Sequence, residues 1–90
     1  MNKEQLVERV ASRTGLTKKS ALEAINTTLS TITSTLRRGE RVTLVGFGTF
    51  LVRRRAARNG RNPRTGERIK IPARKVPVFT AGKELRSVIK

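Results

Sequence analysis

The sequence predicts an α+β fold: two N-terminal helices, a three-stranded antiparallel sheet bearing a long β-hairpin arm, and a short C-terminal helix. Three observations predict it. Apolar residues recur every three or four positions from Leu6 to Leu36, and from Arg41 the period drops to two, which separates helix from strand. From Arg53 to Lys75 the chain then sets eight Arg and two Lys against one Glu, +9 in 23 residues. Ile69 and Ile71 are the only large apolar residues in that run, so it has almost nothing to bury. It reads as an arm reaching toward something negatively charged.

Each element follows in order. Asn2 with Gln5 three residues on has the form of a capping box, and Leu6, Val7, Val10 and Ala11 follow at helical spacing up to Gly15. A first helix over residues 3–14 results. Thr17 can cap the second, where Leu22, Ile25, Leu29, Ile32 and Leu36 form a narrow stripe that Gly39 stops. Such a stripe suits helix-on-helix contact across a dimer. Val42 and Leu44 begin the sheet, Gly46-Phe47-Gly48 turns it, and Thr49 to Val52 runs straight into Arg53-Arg54-Arg55. The return strand spans Glu67 to Phe79. Pro72 and Pro77 within it lack N–H donors and fit edges, bulges or strand ends. Thr80 caps a terminal helix over about residues 81–89 carrying Leu85, Val88 and Ile89.

Ninety residues make one domain, 1–90, with a thin stability margin. Its expected parts are a helical dimerisation segment at about 1–40, sheet and arm at about 41–79, and the arm proper at about 53–75. Without Cys or His, disulfides, structural zinc and thiolate chemistry are excluded, so dimerisation is the expected remedy. The stripe residues Leu29, Ile32 and Leu36, with Leu44, Phe47, Phe50 and Phe79, are the candidate dimer core. A net charge of +15 attracts polyanions, nucleic acid first among them. The chain lacks the aromatic-rich amphipathic helix favoured at membranes, and Met1 to Leu6 lacks a signal peptide's apolar region, so the expected compartment is intracellular. No cofactor or metal site is expected. With no His, Cys or Asp and six scattered Glu, no catalytic residue is nominated, and Glu67 is expected to pair with neighbouring arginines.

Two turn signals compete inside the arm. Asn59-Gly60 is a strong hairpin dipeptide, and Asn62-Pro63-Arg64-Thr65-Gly66 is a longer turn with Pro and Gly well placed; sequence rules do not choose between them. Taken alone, Pro63 is an ordinary turn residue. At the tip of a basic ribbon it has the makeup of a wedge that enters a minor groove and unstacks a base step. Arg53, Arg55, Arg58, Arg61, Arg64, Arg68, Lys70, Arg74 and Lys75, with Asn62 at the turn, are candidate DNA contacts. The excess of Arg over Lys favours a narrow, strongly negative minor groove. The three Phe lie in or beside apolar alternation, away from the basic run, and are read as core rather than as stacking platforms.

Gly46-Phe47-Gly48-Thr49-Phe50, followed by Arg55, Arg58, Gly60 and Arg61-Asn62-Pro63-Arg64-Thr65-Gly66, resembles the signature of the bacterial histone-like HU/IHF family. The likeness extends to the helical pair before it and to Lys75-Val76-Pro77, Phe79 and Ala81-Gly82-Lys83 after it. It implies an intertwined dimer, non-enzymatic, whose two arms wrap double-stranded DNA in the minor groove, with Pro63 as the intercalating residue. It extends DNA contact to Lys3, Lys18 and Lys83 on the body. Members are often acidic at position 54 and neutral or acidic at 64 and 68, so this arm is more basic than the family's pattern. An HU-like homodimer that bends and compacts DNA with little sequence preference, in a bacterial or organelle nucleoid, is the leading expectation. A sequence-specific IHF-like subunit of a heterodimer and a basic RNA-binding protein are the alternatives.

Overall fold

The structure, a computed structural model, describes residues 1–90. The elements run α1 (Lys3–Thr14), α2 (Lys18–Arg37), β1 (Val42–Leu44), β2 (Gly48–Arg55), β3 (Arg58–Arg61), β4 (Arg68–Ile71), β5 (Arg74–Ala81) and α3 (Lys83–Val88). They fall into two compact units, Met1–Ser34 and Thr35–Lys90.

In the first unit, local chemistry sets the helix ends. The Gln5 amide donates to Asn2 Oδ1 at 2.9 Å, and the Asn2 amide donates to Gln5 Oε1 at 3.0 Å. This closes the expected capping box and satisfies two otherwise orphaned donors. α1 ends at Gly15, whose amide donates to the Ala11 carbonyl at 3.0 Å. Thr17 caps α2 as expected, accepting from the Ser20 amide at 3.1 Å. Val7, Ala11 and Ala21 are buried, and Val10 and Ile25 pack against them. Those three are the only buried apolar residues of the chain.

In the second unit β2 is the central strand of a β1-β2-β5 antiparallel sheet. The register places Val42, Phe50 and Phe79 on one face and Leu51 opposite Val78 on the other. Phe79 packs its ring against Phe50 at 4.9 Å and Phe47 at 5.4 Å between centroids. Gly48 is buried beneath it, and a Cβ there would lie 2.6 Å from the Phe79 ring and from the Thr80 carbonyl. β5 forms an edge of the sheet, which is why Pro77 is tolerated within it.

Two expectations need correction here. Thr80 does not cap the last helix. It stays in the ladder opposite Thr49, pairing continues through Ala81, and Gly82 supplies the cap without a side-chain bond. The Gly82 amide instead donates to the Phe47 carbonyl at 2.8 Å. The return strand is also not continuous. Pro72 and Ala73 break it between β4 and β5, opposite a break at Ala56 and Ala57, so β3 and β4 form a separate two-stranded ribbon.

Candidate nucleic-acid interface

The ribbon resolves the competition between turn signals. Asn59 and Gly60 lie inside β3, paired with Lys70 and Ile69, and the reversal occurs at Asn62 to Gly66. The Gly66 amide donates to the Asn62 carbonyl, and the Asn62 amide to the Glu67 carbonyl, both at 2.8 Å. Asn62 Oδ1 accepts from the Arg64 amide at 2.9 Å, a side-chain turn that holds the backbone around Pro63. Gly66 takes φ of 73°, a conformation few other residues adopt without strain. Pro63 therefore sits exposed at the tip of a well-bonded loop.

Strand pairing divides the ribbon into unlike faces. Gly60 lies opposite Ile69 and Arg58 opposite Ile71, which puts both isoleucines on one face. A Cβ at Gly60 would come within 2.9 Å of Ile71 Cδ1, so the glycine leaves the isoleucine room to lie across the strand. The other face carries Asn59, Lys70, Arg61 and Arg68.

Charge is not neutralised along this length. Arg61 faces Arg68, Arg55 faces Arg74 and Arg54 faces Lys75, three like-charged pairs directly opposite one another. Such pairs oppose strand pairing. Glu67 does not offset them: its amide donates to Thr65 Oγ1 at 3.3 Å, and the ion pairs of the chain lie elsewhere, at Lys18–Glu8 and Arg38–Glu40. The expected Glu67–arginine pairing is thus corrected; the acid serves the turn through its backbone. Every arginine and lysine from Arg53 to Lys75 is exposed.

Among the body residues, Lys3 and Lys18 line one depression with Lys19, Val7 and Leu22. Lys18 Nζ lies 3.6 Å from Glu8 Oε1 with both side chains well exposed, a pairing of little energetic consequence. Lys83 opens α3 in the other unit. The apolar candidates are uncovered in the single chain. Leu29, Leu44, Phe47 and Phe79 are 51%, 41%, 47% and 41% exposed, and Ile32, Leu36 and Phe50 are half-buried.

The register adds Arg54, part of the basic run but not named among the candidate contacts, opposite Lys75, and the double break at the root of the ribbon was not expected from the sequence. Pro72 beside Ala73, matched by Ala56-Ala57, was the available signal.

Comparison with known proteins places this architecture. The family model described as bacterial DNA-binding protein matches residues 1–90, and the chain belongs to that family. DNA-binding protein HU of Geobacillus stearothermophilus is 52% identical over 90 residues, covering 100% of both chains. That of Lactococcus lactis subsp. lactis is 54% identical over 89 residues, covering 99% of this chain and 98% of the relative. Among solved structures, Anabaena HU in a co-crystal with DNA superposes with a TM-score of 0.95 at 48% identity, covering 99% of this chain and 97% of that one. HU from Thermotoga maritima gives 0.73 at 36% identity over the whole of both chains.

Proposed function

We propose that this chain is an architectural DNA-binding protein, acting as a homodimer, that grips the minor groove with its two β3–β4 ribbons and bends and compacts DNA with little sequence preference. One observation carries the reading: a two-stranded ribbon that carries Arg58, Arg61, Arg68 and Lys70 with no ion pair of its own, ending in a hydrogen-bonded loop that presents Pro63. Phosphates are the counter-ions that such a ribbon lacks. Arg53, Arg55, Arg58, Arg61, Arg64, Arg68, Lys70, Arg74 and Lys75, with Asn62, track the backbone and groove, while Pro63 enters a base step. Lys3, Lys18 and Lys83 extend the contact to the body. The co-crystallisation of Anabaena HU with DNA supports the reading.

The dimer follows from the energetics of a chain whose only buried apolar side chains are those of Val7, Ala11 and Ala21. Leu29, Ile32, Leu36, Leu44, Phe47, Phe50 and Phe79 form the core that a second copy completes, with residues 1–40 as the helical dimerisation part and 41–79 as sheet and arm. The protein is a binding protein rather than an enzyme, and it resides with the bacterial nucleoid. Competition at fixed salt among linear duplex, nicked duplex, four-way DNA, single strands and duplex RNA tests this. Preference for duplex or distorted DNA is expected, and stronger binding to RNA would overturn it.

A further inference from the structure

Both strands stop pairing together where the sheet gives way to the ribbon. β2 ends at Arg55 and β3 resumes at Arg58; β4 ends at Ile71 and β5 resumes at Arg74. Pro72 has no N–H to offer a ladder at this point. The gap holds a cavity of about 250 Å³ lined by Arg55, Ala56, Arg58, Ile71, Pro72 and Arg74. It therefore combines three guanidinium groups with three apolar residues and contains no carboxylate. Arg55 and Arg74 are direct register partners, so their charges sit side by side on one face of the last paired position. Glu67, the single acid of the arm, lies at the opposite end of the ribbon.

We infer that this cavity is a discrete oxyanion site that takes one phosphate group and stiffens the root of the arm when filled. Guanidinium forks match phosphate oxygens in two-point contact, and charge-assisted bonds of this type are among the stronger ones available to a protein. An anion between Arg55 and Arg74 replaces one repulsion by two attractions at the position where the ladder ends. The Arg61–Arg68 pair farther out has no third arginine on its own face of the ribbon. The inference rests on the DNA-binding reading only for the source of the phosphate: a backbone phosphodiester and free inorganic phosphate offer the same chemistry.

The test is a titration of the full-length protein with inorganic phosphate against sodium chloride at matched ionic strength, read by backbone amide shifts. Saturable shifts at Ala56, Ala57 and Ala73, with slower amide exchange across β3 and β4, are expected. Arg74→Gln should weaken that saturation about tenfold, the loss of one charge-assisted contact, whereas Arg13→Gln on α1, an equal change in net charge, should not. Shifts that follow ionic strength alone, or an equal response of the two variants, would overturn the site. A parallel titration with a short duplex distinguishes the sources: the same hinge shifts with duplex assign the site to a DNA phosphodiester, and their appearance with free phosphate alone assigns it to the free anion. Intact duplex binding without saturable phosphate binding sinks the hinge site alone. Saturable phosphate binding in a protein that ignores duplex sinks the DNA reading alone.

Discussion

The sheet and the ribbon are built from the same two passes of the chain, yet they are held by different forces. In the sheet, Phe50 faces Phe79 and Leu51 faces Val78, and the rings of Phe47, Phe50 and Phe79 pack together. In the ribbon, Arg61 faces Arg68 and the only apolar cover is Ile69 and Ile71 over Gly60. Backbone pairing and the Asn62–Gly66 loop hold it against its own charge. The contrast shows an allocation: apolar residues go where folding must be secured without a ligand, and cations go where a ligand will complete the structure.

The largest test of that contrast is Phe79→Ala. Loss of a ring packed against two others should cost about 3–5 kcal/mol if a second copy covers it. Denaturant unfolding together with sedimentation reads both stability and assembly. A loss below about 1 kcal/mol would leave Phe79 as exposed as in the single chain and break the dimer-core assignment.

Two glycines then separate the regions. Gly48→Ala drives a methyl into the Phe79 ring and the Thr80 carbonyl, and overpacking of this kind costs about 1–3 kcal/mol. Gly60→Ala meets chiefly the flexible end of Ile71, so global stability should change by less than about 0.5 kcal/mol. Equal destabilisation in thermal melts would show that the ribbon and the sheet unfold as one body.

Much of this division is legible in the sequence, because its signals are local. Asn2 and Gln5, Gly15, Thr17 and Gly39 mark helix ends within a few residues of themselves, and all four boundaries fall where expected. The basic run also announces the arm without further information. What could not be read depends on register. Asn59-Gly60 is a sound turn signal overruled because pairing Gly60 with Ile69 leaves the longer loop to reverse the chain. Thr80 is a sound cap overruled because β2 still pairs with it. The like-charged pairs, the Arg54–Lys75 juxtaposition and the hinge cavity exist only once two distant segments are aligned.

Smaller effects sharpen the comparison at the arm. Pro63→Ala should change stability by no more than about 0.4–1 kcal/mol, through the unfolded chain. The bend of a saturated short duplex, measured by energy transfer, should nevertheless fall, because no ring remains to offset unstacking. An unchanged bend would reduce Pro63 to a turn residue. The smallest expected effect has opposite signs for folding and function. Arg61→Glu converts the Arg61–Arg68 repulsion into an attraction and should stabilise the free ribbon by about 0.2–1 kcal/mol. Amide exchange in β3 and β4 should slow while duplex affinity drops. Faster exchange in the free variant would mean that cross-strand charge does not limit the order of the ribbon.

The edge position of β5 has a consequence for solubility. An exposed edge strand is a template on which another chain can add a strand, and a protein concentrated along a polyanion would meet that hazard continually. β5 presents Pro77, which has no amide to donate, and begins with Arg74 and Lys75, which repel an identical strand. The same residues that help define the basic arm thus discourage strand-by-strand growth at this edge of the sheet, where copies crowded onto one template would otherwise meet.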